Sequence, residues 1–118
     1  MLSTFGGSST DPLEHAYISG GSIAMSNSSG SNFHRVVAVD TNFGGMKQGY
    51  SFSEFKDATL INASFWTANL TGSDFTGANV SGVNFSNANL YETTGINFNE
   101  VSSVCNAIMP DGSIGKCK

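Results

Sequence analysis

Charge is what this sequence has least of. Asp, Glu, Lys and Arg make up 12% of the 118 residues, about half of what an ordinary globular surface carries. Five Lys and Arg against nine Asp and Glu leave a formal net charge of −4. So few cations cannot build a phosphate-reading stripe, which excludes nucleic-acid binding as a function class. No apolar run approaches the roughly 18–20 residues that a spanning helix needs. The opening stretch, Met1 to Pro12, lacks both the basic start and the apolar run, roughly 7–15 residues long, of a secretory signal. The expectation is a chain that stays where it is made or one already processed.

Catalytic and metal chemistry are equally scarce. His15 and His34 have no cysteine or Gly-x-Ser-x-Gly partner to activate. The glycines are not followed by the Lys-Ser/Thr of a phosphate-cradling loop. Carboxylates such as Asp57, Asp74 and Glu92 are scattered and read as solvated groups. A zinc site at Cys105 or Cys117 would need two more ligands, and the nearest histidine to Cys105, His34, is 71 residues away. The expectation is therefore no enzyme, no metal, no cofactor and no small-molecule substrate.

What is there is small and neutral. Ser, Gly, Asn and Thr supply 53 of the 118 residues, and hydrophobic residues reach 39%. That is enough for a core, and the length suits one domain. The two cysteines bracket Asn106-Ala-Ile-Met-Pro110-Asp-Gly112-Ser-Ile-Gly-Lys116. Pro110 suits the second position of a β-turn and Gly112 the fourth. Folded as a hairpin about that turn, Met109 faces Ser113, Ile108 faces Ile114 and Cys105 faces Cys117. Directly opposed residues have Cβ atoms about 4.5–5.5 Å apart, close to disulfide geometry. A Cys105–Cys117 disulfide would point to an oxidising compartment. Two free thiols in an apolar cap are the alternative.

An internal repeat decides the architecture. From Ser53 to Leu90 a large apolar residue recurs every five positions: Phe55, Leu60, Phe65, Leu70, Phe75, Val80, Phe85, Leu90. Two places before each sits a small side chain such as Ala58, Ala63 or Ala68, and a polar residue lies between them. Five steps at 100° drift 140° around a helix and make no stripe. Along a straight strand the odd spacing would alternate faces. A chain that turns a corner every five residues puts both the small and the large residue inside, which makes a solenoid of stacked coils.

Ala58-Thr-Leu60, Ala68-Asn-Leu70, Ser73-Asp-Phe75, Ala78-Asn-Val80 and Ala88-Asn-Leu90 resemble the A(D/N)LXX signature of the pentapeptide-repeat family. The resemblance implies an all-β fold, a right-handed quadrilateral β-helix with four pentads per coil. The tail from Cys105 to Ser113 is similar to the C-terminal caps of cyanobacterial and plastid members.

With four pentads per coil, residues twenty apart stack, and like then falls on like: Phe55 under Phe75, Phe65 under Phe85, Leu60 under Val80, Leu70 under Leu90. A degenerate pattern runs upstream through Ile18, Ile23, Ser28, Phe33, Ala38 and Phe43. A two-residue bulge within 44–49 would place Phe33 under Phe55 and Phe43 under Phe65. The division expected is an N-terminal arm or cap over 1–15, degenerate coils over 16–52, clean coils over 53–92 and a disulfide-closed C-terminal cap over 93–118.

Just after the large residue, where solvent is expected, most residues are Ser or Thr, but Ile61, Trp66 and Tyr91 are large. They form a candidate partner surface, unless the arm or the cap covers Trp66. The first functional expectation is a non-enzymatic structural or protein-interaction module. By resemblance it would sit in the thylakoid lumen or periplasm, docked on a photosynthetic membrane complex. The second comes from family members that mimic DNA and bind topoisomerases. That role needs dense carboxylates, and the clean repeat has only Glu54, Asp57, Asp74 and Glu92.

Overall fold

The computed structural model describes residues 4–6, 17–24, 32–44 and 49–117. Its regularity lies in corners more than in strands. Each pentad runs straight for three residues and then turns. The amide of the small inward residue closes the turn on the carbonyl of the preceding large one, as from Ala58 to Phe55 at 3.1 Å and from Ala68 to Phe65 at 2.9 Å. The residue just before the small one has positive φ, whether glycine or not: Asp57 at 56°, Asn62 at 58°, Gly77 at 76°. A positive φ only at the third turn position is type II geometry.

The amides along the pentad wall then find partners, as a buried solenoid wall requires. Around the corner of Phe55, the Phe55 amide reaches Asp74 O at 2.7 Å and the Asp57 amide reaches Thr76 O at 2.9 Å, both in the coil above. The Thr59 amide reaches down to Val36 O at 2.8 Å. The amide after the large residue points outward and is met by the polar residue before it. Asn69, Asp74, Asn79, Asn84 and Asn89 each accept it on Oδ1 at 2.8–3.1 Å. This Asx turn is the physical reason for Asn or Asp in the middle of the motif.

Coils are joined by parallel bridges. Gly49↔Asn69, Glu54↔Asp74, Thr59↔Asn79 and Ser64↔Asn84 fix a twenty-residue offset. Below them Asn32↔Glu54, Val37↔Thr59 and Asn42↔Ser64 are offset by twenty-two. The change of register falls between 43 and 49, where the sequence places its two extra residues; 45–48 lie outside the described residues. Tyr17↔Val37 restores twenty. At the other end Asn84↔Ser103 and Asn89↔Ile108 lose one residue per coil.

The four sides enclose four columns. Phe33, Phe55 and Phe75 stack at 4.6 and 4.9 Å between ring centroids, within 7° of parallel. Phe43, Phe65 and Phe85 stack at 4.6 and 5.5 Å. These spacings bracket the ordinary inter-strand distance of about 4.8 Å. The two Phe columns meet edge to face, with Phe55 and Phe65 5.4 Å apart at 89°. Leu60 and Val80 above Ala38, and Leu70 and Leu90, complete the core, all fully buried. Tyr50 is the largest core residue absent from the sequence pattern, which also omits Val101 and Ala107. It lies one coil below Leu70, is fully buried, and packs edgewise on Phe33, Phe43, Phe55 and Phe65. Burial pushes its phenol pKa well up.

Of the upstream positions, Ile18, Phe33, Ala38 and Phe43 are buried, whereas Ser28 lies outside the described residues. Within the stretch read as an arm, Thr4–Gly6 forms β1, which pairs in parallel with β2, Ser22–Ala24. No helix among the described residues is long and apolar enough to cross a membrane.

Candidate interaction surface

The coil has four outer sides, numbered here by their inward columns: Phe33/Phe55/Phe75 the first, Ala38/Leu60/Val80 the second, Phe43/Phe65/Phe85 the third, Tyr50/Leu70/Leu90 the fourth. Charge and apolar surface separate in part between them, with Asp40 at the corner after the second side and Glu92 at the corner after the fourth. Glu54 and Asp74 stand on the first side, and His34, Arg35, Lys56 and Asp57 occupy the corner that follows it. Lys56 Nζ lies 3.6 Å from Glu54 Oε1 and 3.7 Å from Asp74 Oδ2. His34 Nε2 lies 3.6 Å from Asp57 Oδ2. Partial burial works against ionisation of Asp74. Hydrogen bonds from the Thr76 hydroxyl and amide, the Lys56 charge and the Thr94 hydroxyl outweigh it and hold the carboxyl below its ordinary value.

The fourth side is its opposite. Its outward line is Gly49, Asn69, Asn89 and Ile108. One edge carries Trp66, 46% exposed, and the other carries Phe52 at 62% and Tyr91 at 44%. Phe52 is held at φ 58° and its ring lies over Gly72, where a Cβ would come within 2.5 Å of it. The missing side chain at Gly72 is what lets the ring lie there.

Of the residues singled out from sequence, Trp66 and Tyr91 flank this side and are open. Ile61 sits at the corner between the second and third sides and is half-buried, so it does not join them. Its neighbour below, Val39, is itself apolar and half-buried. Phe52 was missed. Its signal was available, since it is an aromatic at a turn position otherwise held by Gly, Asn, Asp, Thr, Arg or Glu.

Above Leu90 the cap takes the hairpin form read from the sequence. Ile108↔Ile114 pair antiparallel, and the Met109 amide reaches Ser113 O at 2.7 Å. The Gly112 amide closes the turn on Met109 O at 2.8 Å, with φ +89° at Gly112. Cys105 and Cys117 are joined by a disulfide. Asp111 Oδ1 accepts from the Ser113 amide and hydroxyl, which lowers its carboxyl pKa. Among the described residues no three His, Cys, Asp or Glu side chains converge as metal ligands.

Residues 53–90 match the family described as pentapeptide repeats, in eight copies. These residues are pentapeptide repeats. No curated protein matches it. Among solved structures, a pentapeptide repeat protein, Rfr23, from the cyanobacterium Cyanothece 51142 is 14% identical, with a TM-score of 0.55 over 85% of this chain and 86% of that one. The likeness is one of fold, a right-handed β-helix. A pentapeptide repeat protein from the Arabidopsis thaliana thylakoid lumen is 28% identical, with a TM-score of 0.47 over 67% of this chain and 61% of that one. The repeat chain thus spans less than two thirds of the Arabidopsis protein. QnrB1, a plasmid-mediated fluoroquinolone resistance protein, is 18% identical, with a TM-score of 0.43 over 81% of this chain and 64% of that one.

Proposed function

We propose that the chain is a non-enzymatic docking module that meets a protein partner with its fourth side. The observation that carries this reading is the separation of surfaces. Arg35, Glu54, Lys56, Asp57 and Asp74 gather on the first side and its corner, while Trp66, Phe52 and Tyr91 stand open on the edges of a wall whose outward line is uncharged, with Glu92 the charge beside Tyr91. Aromatic anchors on a neutral, rigid surface are what protein interfaces favour at their centres. The β-solenoid supplies the rigidity, so little conformational entropy is lost when the aromatics are covered.

The Cys105–Cys117 disulfide supports an extracytoplasmic site such as the thylakoid lumen or periplasm, since such bonds persist in oxidising compartments. The partner that fits a lumenal solenoid is the exposed side of a photosynthetic membrane complex. A DNA-mimic role is not favoured by the charges, because Arg35 and Lys56 sit among Glu54, Asp57 and Asp74 and no row of carboxylates results.

The test is native-gel co-migration of the untagged protein in solubilised membranes of its source, with Trp66→Ala beside wild type. Co-migration with a large complex, weakened in the variant while its melting temperature holds, supports the proposal. Migration of the wild type as a small free species would remove it. A large fall in the variant's melting temperature would mark Trp66 as covered core instead of surface.

A further inference from the structure

The cap hairpin closes the last coil, and in doing so presents a new edge. Ala107 pairs with Gly115 and Met109 with Ser113 through backbone hydrogen bonds of 2.7 Å. Ile108↔Ile114 lies between them and is therefore a non-hydrogen-bonded pair, whose own amides and carbonyls point away from each other. Those of Ile108 point down into the coil, to Ala88 O at 2.9 Å and from the Leu90 amide at 2.7 Å. Those of Ile114 point up, and among the described residues they meet no partner. The side chain of Ile114 is 61% exposed beside that of Ile108. The strand from Ser113 to Cys117 stands one level above the last coil on the fourth side, and among the described residues its outer rim has no backbone partner.

We infer that this edge is the self-association surface of the chain, joining two copies by antiparallel pairing across Ile114. A two-fold axis at Ile114 lets each copy donate its amide to, and accept at its carbonyl from, Ile114 of the other, which satisfies both free groups at once. The same axis sets Lys116 of each copy opposite Gly112 of the other. Gly112 leaves that place open: a Cβ there would lie 3.6 Å from Cε1 of Tyr91. The Lys116 stem fits over the missing side chain with its ammonium against the Tyr91 ring, a cation–π contact. Charge agrees with this direction and no other. Each hairpin has Asp111 at its turn and Lys116 on its tail, so antiparallel pairing brings unlike ends together, whereas parallel pairing would set lysine against lysine. A lysine beside an edge ordinarily blocks pairing, but here it meets a glycine. The arrangement is isologous and closes at two copies. Trp66 and Phe52 stay uncovered, and of the three aromatics on the docking side the pairing engages Tyr91 alone.

The experiment is sedimentation velocity of the full, disulfide-intact chain over a broad concentration range, with Ile114→Lys beside wild type. The expected result is a concentration-dependent shift from one copy to two. In the variant, two ammonium groups would stand directly opposed, and the association constant should fall about tenfold or more at unchanged melting temperature. A second variant, Ile114→Cys, reads the register. Paired Cα atoms about 5.5 Å apart are within disulfide reach, so air oxidation should join two copies through residue 114, with Cys105–Cys117 intact by peptide mapping. A wild type that sediments as a single copy throughout would overturn the inference. So would an Ile114→Lys protein that associates like wild type, or an Ile114→Cys protein that cross-links no better than Ser81→Cys. None of these outcomes bears on co-migration with a partner complex.

Discussion

Truncating Phe65 tests the columnar core most directly. Its ring is fully buried, stacked between Phe43 at 4.6 Å and Phe85 at 5.5 Å, and touched edgewise by Phe55 and Phe75 at 5.4 and 5.9 Å. Phe65→Ala removes the ring while the walls stay pinned by inter-coil hydrogen bonds, so the cavity cannot collapse. The cost is then at the upper end of the usual range, about 4–5 kcal/mol. Against a total stability of about 6–18 kcal/mol for a chain of this length, the melting temperature should fall by roughly 15 °C. Phe65→Leu, which keeps most of the volume, should cost about a third as much. Phe75→Asp places a carboxylate inside the other Phe column without a counter-ion and should abolish folding. Calorimetry and far-ultraviolet circular dichroism of the three variants are the assay. A Phe75→Asp protein that folds and melts like wild type would show that these residues do not face inward.

Three further outcomes are expected. Removing the cap disulfide as Cys105→Ser with Cys117→Ser should cost roughly 3 kcal/mol in the chain-entropy picture, with faster hydrogen exchange at Met109 and Gly115 and little change at Leu70. Asp74 is held below its ordinary pKa, so its contribution is complete above the unfolded value of about 3.9 and lost as pH falls through the folded one. Asp74→Asn should therefore cost under about 1 kcal/mol near neutrality, since Asn keeps the Asx turn and loses only a surface pair, and should flatten the fall in melting temperature below about pH 4. Thr67 holds a β-branched side chain at φ 62°, and Thr67→Asn should raise stability by about 1 kcal/mol; a lower melting temperature would mean that the Thr67 hydroxyl bond to Trp66 O outweighs the backbone strain.

The columns were legible in the sequence because burial in a solenoid repeats in register. A Phe at 55, 65, 75 and 85 leaves a trace at period five that no helix or flat sheet can absorb. The hairpin cap was legible for a different reason: Pro110 and Gly112 fix the turn, and everything opposite follows by counting. Tyr50 escaped although it lies five before Phe55. The residue two places before it is Gln48, which is not small, and a pattern that demands a small partner stops there.

The corners were illegible for a physical reason. A positive φ at every third turn position predicts glycine, yet Arg35, Asp40, Phe52, Thr67 and Glu92 all adopt it. A solenoid can impose such a conformation because neighbouring corners are coupled: the amide of each corner residue is bonded to the next coil, as Asp57 is to Thr76 and Phe52 to Thr71. Leaving αL would break an inter-coil bond as well as the turn, which costs more than the strain of about 1–2 kcal/mol per residue. The corner positions are thereby released from glycine and can carry outward-facing chemistry. That release is what lets Phe52 stand on one edge of the fourth side, and it explains why the surface of this chain is harder to read than its core. Identity at a corner answers to what it meets outside and to the corner beneath it, as Gly72, Gly77 and Gly82 lie over the side chains of Phe52, Asp57 and Asn62.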